Sequence, residues 1–214
     1  MATAEDVLAF WFEAPARDEA DEERKLRRWF RGGAEMDNAI RERFALEVEQ
    51  AIAGELDSWA QSPRQLIALV LLLDQFPRNL FRGTEKSFAG DERAQQLTYR
   101  AFALGMDAEL DWEQKEFLVM PLLHAENPAA QQRGLEFLQR FESEAPPSHK
   151  AIFAAGIEHS QRFREIITRF GRFPHRNSIL GRSSTPEELQ FLADESKGSS
   201  SYFPRKPSGS SPKS

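Results

Sequence analysis

The sequence AEMDNAIRERFALEVEQAIA, residues 34–53, decides the fold class of this protein. Apolar side chains recur in it at every fourth position, at Met36, Ile40, Phe44, Val48 and Ile52. Because an α-helix completes one turn in about 3.6 residues, this spacing places all five on one face. Polar and charged residues occupy most of the other positions, as on a solvated face. The stretch therefore predicts an amphipathic helix over residues 34–53.

Helix boundaries elsewhere are marked by capping residues. A capping side chain followed by Pro, or by Gln or Glu three positions later, predicts helix starts at Ser62, Asp111, Asn127 and Thr185. Helix ends are predicted at Gly54 and Gly105. The other predicted helices cover residues 4–12, 64–76, 91–104, 112–125, 128–143, 148–170 and 186–193. No stretch alternates polar and apolar residues as a strand does. We therefore predict an all-α fold of antiparallel helix pairs.

The apolar content also predicts how the chain is organised. Two helical stretches, residues 64–73 and 117–123, are apolar on every side, which predicts that they are central and buried. We expect residues 1–195 to form one helical domain. Residues 196–214 are rich in Ser, Gly and Pro and are expected to form a disordered tail.

Composition excludes several classes of protein. The 214 residues include no cysteine, so disulfide scaffolds, zinc ribbons and thiol nucleophiles are excluded. The longest apolar run, residues 66–73, is far shorter than the 18 or so residues of a membrane span, and no signal-peptide pattern is present. We expect a cytoplasmic protein without a membrane partner. The net charge of −6 argues against a nucleic-acid partner.

Two segments share Phe-Pro, then Arg-Asn and an apolar pair. They are LDQFPRNLFRGT, residues 73–84, and RFGRFPHRNSILGR, residues 169–182. In both, we expect a long apolar helix to end at the Pro and to precede a loop dense in Arg and amide side chains. Guanidinium groups bind carboxylate and phosphate bidentately, so these loops predict an anion site. Its candidate ligand-binding residues are Arg78, Asn79, Arg82, Arg172, Arg176 and Asn177.

The same arginines also fit a structural role. Residues 159–182 contain six arginines and one acid, a local charge of +5. If each arginine pairs with an acid such as Asp74 or Glu126, the motifs lock helix ends together instead of binding a ligand. An RNA partner for this basic stretch is a third and weaker hypothesis. The residues alone do not decide among these.

A histidine–carboxylate pair is the predicted acid–base chemistry. The candidate catalytic residues are Asp74, His124, His159 and His175. A carboxylate that orients an imidazole supports proton transfer. His159 lies on the apolar face of its helix, where a purely structural role is the alternative. No metal-ligand spacing is present and an arginine cluster repels cations, so we expect neither a metal nor a cofactor.

Several motifs together resemble a known family. They are VLAFWF at residues 7–12, WF at 29–30, LLDQFPRNLFRGT at 72–84, MPLLHAE at 120–126 and RFGRFPHRNSILGRSSTPEE at 169–188. On these the chain resembles the domain of unknown function 924 family over about residues 5–193. The resemblance implies a single α-helical domain similar to tetratricopeptide-like helical arrays. It implies no established activity.

Two functional hypotheses remain. The first is a protein that binds a small anionic ligand, a phosphate or carboxylate compound, in a pocket lined by the Arg and His candidates. The alternative is a helical module that binds a protein partner, with the Arg/Asn motifs as helix-end locks. Whether the protein is an enzyme is left open.

Overall fold

A computed structural model describes residues 1–12, 24–25, 27–29 and 33–197 of the chain. Within these ranges the regular secondary structure is helical and no strand is present, which confirms the all-α prediction. Of the predicted tail, residues 198–214 lie outside the described residues, so the boundary expected at residue 195 stays a prediction.

The α-helices fall close to their predicted positions. They are α1 (Ala4–Phe12), α2 (Ala34–Ala53), α3 (Pro63–Leu80), α4 (Asp91–Ala103), α5 (Trp112–Leu123), α6 (Pro128–Glu144), α7 (Pro147–Phe170) and α8 (Pro186–Lys197). Short 3-10 turns lie at Asp57–Gln61, Glu85–Phe88, Met106–Glu109 and Pro174–Arg176.

Local capping explains the helix starts that were predicted at Asn127 and Thr185. The side-chain oxygen of Asn127 accepts hydrogen bonds from the backbone N–H groups of Ala129 and Ala130, at 2.8 and 3.2 Å. At the start of α8, the Glu188 carboxylate accepts from the N–H of Thr185 at 2.7 Å, and the Thr185 hydroxyl accepts from the N–H of Glu188 at 3.2 Å. These bonds satisfy N–H groups that a helix start leaves unpaired.

One predicted boundary is wrong. We expected the helix to end at Pro77, but α3 continues through it to Leu80. Two side chains that follow the proline stabilise this last turn, because each donates to a helix carbonyl four residues earlier. Arg78 donates to the carbonyl of Asp74, and Asn79 donates to that of Gln75 at 3.0 Å. Arg78 and Asn79 therefore lie on a helix and not in a loop.

Helix α3 lies at the centre of the first compact unit, Met1–Phe173. It packs against α1, α2, α4 and α5, and every residue from 66 to 73 is fully buried. Residues 117–119 and 122–123 of α5 are almost equally buried, as the sequence predicted. Aromatic rings of α1 fill the space between them: Trp11 lies 5.4 Å from both Phe76 and Phe117, centroid to centroid.

The second compact unit is Pro174–Ser214, and its described part contains the Pro174–Arg176 turn and α8. Within this unit, Asn177 is fully buried and bonded on both sides of its amide. The amide nitrogen donates to the Ser184 hydroxyl at 3.1 Å and to the Glu188 carboxylate at 3.2 Å, and the amide oxygen accepts from Arg182 at 3.1 Å. Across the described ranges, no helix has both the length and the apolar character needed to cross a membrane.

Candidate functional site

A buried carboxylate and an imidazole meet where α3 and α5 pack together. Nδ1 of His124, the residue that follows α5, lies 2.8 Å from Oδ1 and 3.0 Å from Oδ2 of Asp74. The Asp74 side chain is fully buried, whereas 19% of the His124 side chain is exposed. Because an ionised carboxylate only accepts hydrogen bonds, Nδ1 carries the proton and donates it.

The second ring nitrogen, Nε2, is then an acceptor. None of the hydrogen bonds of His124 to other described residues involves Nε2, and this nitrogen is not among the buried side-chain atoms without a partner. Combined with the partial exposure of the ring, this leaves Nε2 accessible to a small molecule. A carboxylate-oriented imidazole with a free Nε2 is the arrangement that general-base catalysis uses.

The backbone on both sides of His124 is fixed by one glutamine. Gln131 on α6 is fully buried, and its side-chain nitrogen donates to the carbonyl oxygens of Leu123 and Ala125. These two carbonyls flank His124 in the chain. Gln131 therefore sets the direction in which the imidazole leaves the end of α5, a role that sequence reasoning missed because glutamine carries no motif signal.

Arg78 joins the pair from one turn further along α3. Its guanidinium lies 3.0 Å from Oδ1 of Asp74 and donates to Oδ2 of Asp91, the first residue of α4, at 2.9 Å. Gln75 also donates to Oδ2 of Asp74, at 2.6 Å. One guanidinium thus faces two carboxylates. Asp91 was absent from the predicted site because nothing in the sequence indicates which acid Arg78 meets.

The charges around the pair set its protonation. Burial raises the pKa of Asp74, but the charges of Arg78 and His124, with hydrogen bonds from His124 and Gln75, outweigh it and bring this pKa to about 2. Burial lowers the pKa of His124 below its ordinary value; Asp74 opposes the shift and Arg78 adds to it. At neutral pH the site therefore holds an ionised carboxylate and a neutral imidazole.

The close packing of the start of α4 against α3 depends on a glycine. A Cβ on Gly90, directly before α4, would lie 2.2 Å from the carbonyl oxygen of Leu73. Leu73 is four residues before Pro77, so the proline leaves this carbonyl without its helical donor. Pro77 and Gly90 together allow the start of α4 to pack against α3 and bring Asp91 to Arg78.

The other candidate residues of the first motif, residues 73–84, are Asn79 and Arg82, and they lie towards α2. The guanidinium of Arg82 bonds both oxygens of Asp37 on α2, at 2.8 and 3.0 Å, and donates to the side-chain oxygen of Asn79 at 3.2 Å. These contacts tie the end of α3 to the first turn of α2. They correspond to the helix-lock interpretation of Arg82 and Asn79.

The second motif, residues 169–182, is divided between the two compact units. Within the first, the N–H of Phe173 donates to the Glu126 carboxylate at 2.8 Å, and the Phe173 ring packs edge-on against Phe163 at 5.3 Å. Arg172 there is half-buried. Within the second unit, His175 is half-buried and Arg176 and Asn177 are buried. That the two motifs form one anion site stays a prediction.

His159, the remaining catalytic candidate, lies half-buried on α7. Burial lowers its pKa, with a smaller opposing effect from Glu158. In the described part of the chain, no group of three or more His, Asp or Glu side chains is placed to hold a metal ion.

Comparison with known proteins places this helical fold in one family. The model of the family described as "Bacterial protein of unknown function (DUF924)" matches residues 7–196, and the chain belongs to that family. The solved structure of a protein of unknown function from Agrobacterium tumefaciens is similar, with 37% sequence identity and a TM-score of 0.73. The match covers 89% of this chain and 97% of that one. No curated protein matches the chain.

Proposed function

We propose that this protein binds a small polar molecule at the Asp74–His124 pair and that His124 accepts a proton from it. The observation that carries the proposal is the 2.8 Å contact between His124 Nδ1 and Asp74 on a ring whose Nε2 bonds no described residue. The ionised Asp74 stabilises the imidazolium that forms when Nε2 takes up a proton. We therefore assign His124 as the proton acceptor and Asp74 as the residue that orients it.

The charges already present in the site indicate what charge its ligand should carry. Both Asp74 and Asp91 bond the guanidinium of Arg78, so an anionic ligand at Arg78 competes with two carboxylates already in place. A neutral molecule with an O–H or N–H group meets no such competition and offers Nε2 the proton it can accept. We therefore favour a neutral protic ligand here over the phosphate or carboxylate that the sequence suggested.

The structural interpretation of the motifs is the second candidate, and specific contacts favour it for three residues. Arg82 bonds Asp37 on another helix, Asn79 bonds a carbonyl of its own helix, and Asn177 holds the loop before α8. In this proposal these side chains fix helix ends and do not touch the ligand. Arg172, Arg176 and His175 remain candidates for the anion site predicted from sequence.

A ligand screen with a conservative variant tests the proposal. His124→Gln replaces the basic imidazole with an amide that cannot accept a proton at neutral pH. The matched control is His149→Gln, which removes the imidazole that contacts the Ser148 hydroxyl near the start of α7. Small alcohols, amides, amines, inorganic phosphate and acetate are titrated by calorimetry. We expect neutral protic compounds to bind the parent and His149→Gln, and to bind His124→Gln at least tenfold more weakly.

Two results would contradict the proposal. Equal binding to His124→Gln would show that Nε2 is not the contact. Binding of phosphate or acetate that is lost in Arg172→Gln or Arg176→Gln, and not in His124→Gln, would instead support the anion site of the second motif.

A further inference from the structure

Glu116 on α5 carries a buried carboxyl group that bonds none of the described residues. The residue is 3% exposed. Its Oε2 atom is fully buried and has no hydrogen-bond partner in the described part of the chain. Its Oε1 atom bonds no described residue either, and it is not among the fully buried atoms that lack a partner. The carboxyl group therefore keeps one oxygen inside the protein and presents the other, Oε1, at an opening.

The other buried acids of the described chain all have donors. Burying a carboxyl group without a partner is costly, because it loses its hydration and gains nothing in return. Asp74 bonds Arg78, Asp107 bonds Arg140, Glu47 accepts from the N–H of Ala2 at 2.5 Å, and Glu188 accepts from Asn177 at 3.2 Å. Glu116 is the exception among these buried carboxyl groups. Its unused oxygens are suited to a donor that comes from outside the chain.

The helix face that carries Glu116 is otherwise apolar. Trp112 and Met120 lie four residues before and four residues after it, so the three side chains follow one another along α5. The ring of Trp112 packs edge-on against Phe153 on α7, with 6.0 Å between the centroids. Met120 is 8% exposed. The carboxyl group is thus flanked by an aromatic ring and a thioether, which are suited to the hydrocarbon part of a ligand.

No described cation neutralises Glu116. The charged group that acts on it is Glu113, one turn earlier on α5, and that carboxylate already bonds Lys25 at 2.6 Å. Lys115 is the next residue in the chain, but its Nζ lies over the ring of Trp112, 4.0 Å from the centroid, and forms no ion pair with a described acid. A cationic ligand would therefore be the first ion-pair partner of Glu116.

We propose that Glu116 binds the ammonium group of a small primary amine, whose hydrocarbon part lies along Met120. An ammonium group offers several N–H donors to the carboxylate oxygens, and such charge-assisted bonds are the strong ones. A divalent metal ion needs more ligands than one carboxylate, and no described group of three or more His, Asp or Glu side chains is placed to supply them. This site does not depend on the proposed role of His124.

Binding of the amine exchanges one cation for another at Glu116. Burial, and after it the charge of Glu113, raises the pKa of Glu116 to about 8, so the empty site holds a protonated carboxyl group at pH 7. The carboxylate form pairs with the ammonium group. The O–H bond therefore breaks as the amine enters, its proton goes to the buffer, and no covalent bond forms to the amine. Each amine bound at pH 7 releases about one proton.

Calorimetric titration with n-butylammonium chloride tests the site, with butan-1-ol as a neutral probe of similar shape. Titrations at pH 7 in phosphate and in MOPS buffer measure proton release, because the two buffers differ in their enthalpy of ionisation. The variant is Glu116→Gln, and the control is Glu165→Gln, which removes an exposed acid of α7. We expect Glu116→Gln to weaken amine binding at least about tenfold and to abolish proton release, and Glu165→Gln to change binding by less than about twofold. Butan-1-ol should bind the parent at least about tenfold more weakly than the amine.

Several results would overturn the proposal. They are the absence of saturable amine binding, binding that is unchanged in Glu116→Gln, and amine binding by the parent without proton release. A further titration uses Nα-acetyl-lysine methylamide, which represents a lysine of a protein partner; binding of this compound and not of butylammonium would show that the small-amine assignment is wrong. A melting curve verifies that Glu116→Gln is folded, and the proton release measured on the parent does not depend on the variant.

Discussion

Nδ1 of His124 lies 2.8 Å from Oδ1 of Asp74, although 50 residues separate them in the chain. The contact joins α3 to the residue that follows α5, and Arg78 and Gln75 bond the same carboxylate. A buried carboxylate with three polar partners is stable only while all of them remain, because each unpaired group loses its hydration without replacement. The consequences for stability can be measured.

Loss of the Asp74 charge should destabilise the protein strongly. Asp74→Asn removes one carboxylate from Arg78 and leaves His124 only a neutral amide as partner, and we expect a loss of about 3 kcal/mol in the free energy of unfolding. Arg82→Ala, which removes an ion pair near the surface, should cost less than about 1 kcal/mol. Urea unfolding followed by circular dichroism measures both. Similar losses for the two variants would show that the Asp74 network is not a stabilising unit.

Gly90 tests the close approach of α3 and α4. In Gly90→Ala the new Cβ meets the Leu73 carbonyl at 2.2 Å, while the φ of −94° imposes no backbone strain. The whole cost therefore comes from the clash, and we expect about 2 kcal/mol of destabilisation.

Gly156→Ala is the matched control for that substitution. Its Cβ would meet Leu138 at an ordinary 3.4 Å in the interior of α7, so helix propensity should stabilise the variant by about 0.5 to 1 kcal/mol. Thermal unfolding checks the two opposite signs, and a neutral Gly90→Ala would contradict the packing described for Leu73.

Glu116 on α5 predicts that the protein loses stability as the pH rises. Its carboxyl is buried, and Oε2 bonds none of the described residues. Burial, and after it the charge of Glu113, raises its pKa from 4.5 to about 8. The folded protein therefore keeps a proton that the unfolded chain releases above about pH 4.5, and stability is lost as the pH rises towards about 8.

Glu116→Gln removes this loss, because glutamine resembles the protonated acid. We expect the variant to gain about 2 kcal/mol over the parent at pH 8 and almost nothing at pH 4.5. Exposed Glu165→Gln is the control. A gain that does not change with pH would assign the effect to packing and not to titration.

The His124 site predicts that the protein loses stability as the pH falls, which is opposite to the effect of Glu116. Its pKa in the folded state is below the ordinary 6.5, so the unfolded chain takes up a proton first as the pH falls. Stability should therefore decline below about pH 6.5, and decline again below about pH 4 as Asp74, with a folded pKa of about 2, begins to bind a proton only in the unfolded chain. The first decline should be smaller in His124→Gln, as denaturant midpoints across this range would show.

Local signals in the sequence were sufficient to predict most of the helices. The helix starts at Asn127 and Thr185 depend on side chains that accept from backbone N–H groups two or three residues later, and a sequence displays such capping residues directly. The apolar run at residues 66–73 likewise identified the central helix, since an all-apolar surface must be buried on every side.

Non-local partners explain what the sequence did not predict. Helix α3 passes Pro77 because Gly90 accommodates the Leu73 oxygen, a contact between two helices that forms only in the folded chain, while Arg78 and Asn79 bond carbonyls of their own helix. Asp91, which bonds Arg78, and Asp37, which bonds Arg82, are separated from these arginines by 13 and 45 residues. With 34 acidic residues in the chain, composition alone does not select these pairs.

The tautomer and pKa of His124 test the central claim most directly. Nitrogen-15 NMR of the imidazole side chains, recorded from about pH 8 to pH 4, distinguishes a protonated Nδ1 from a protonated Nε2 and follows the titration of each ring. We predict that His124 has its proton on Nδ1, that it titrates below 6.5, and that Asp74→Asn removes the preference for this tautomer. A proton on Nε2, or titration of His124 above 6.5, would contradict its assignment as a proton acceptor oriented by Asp74.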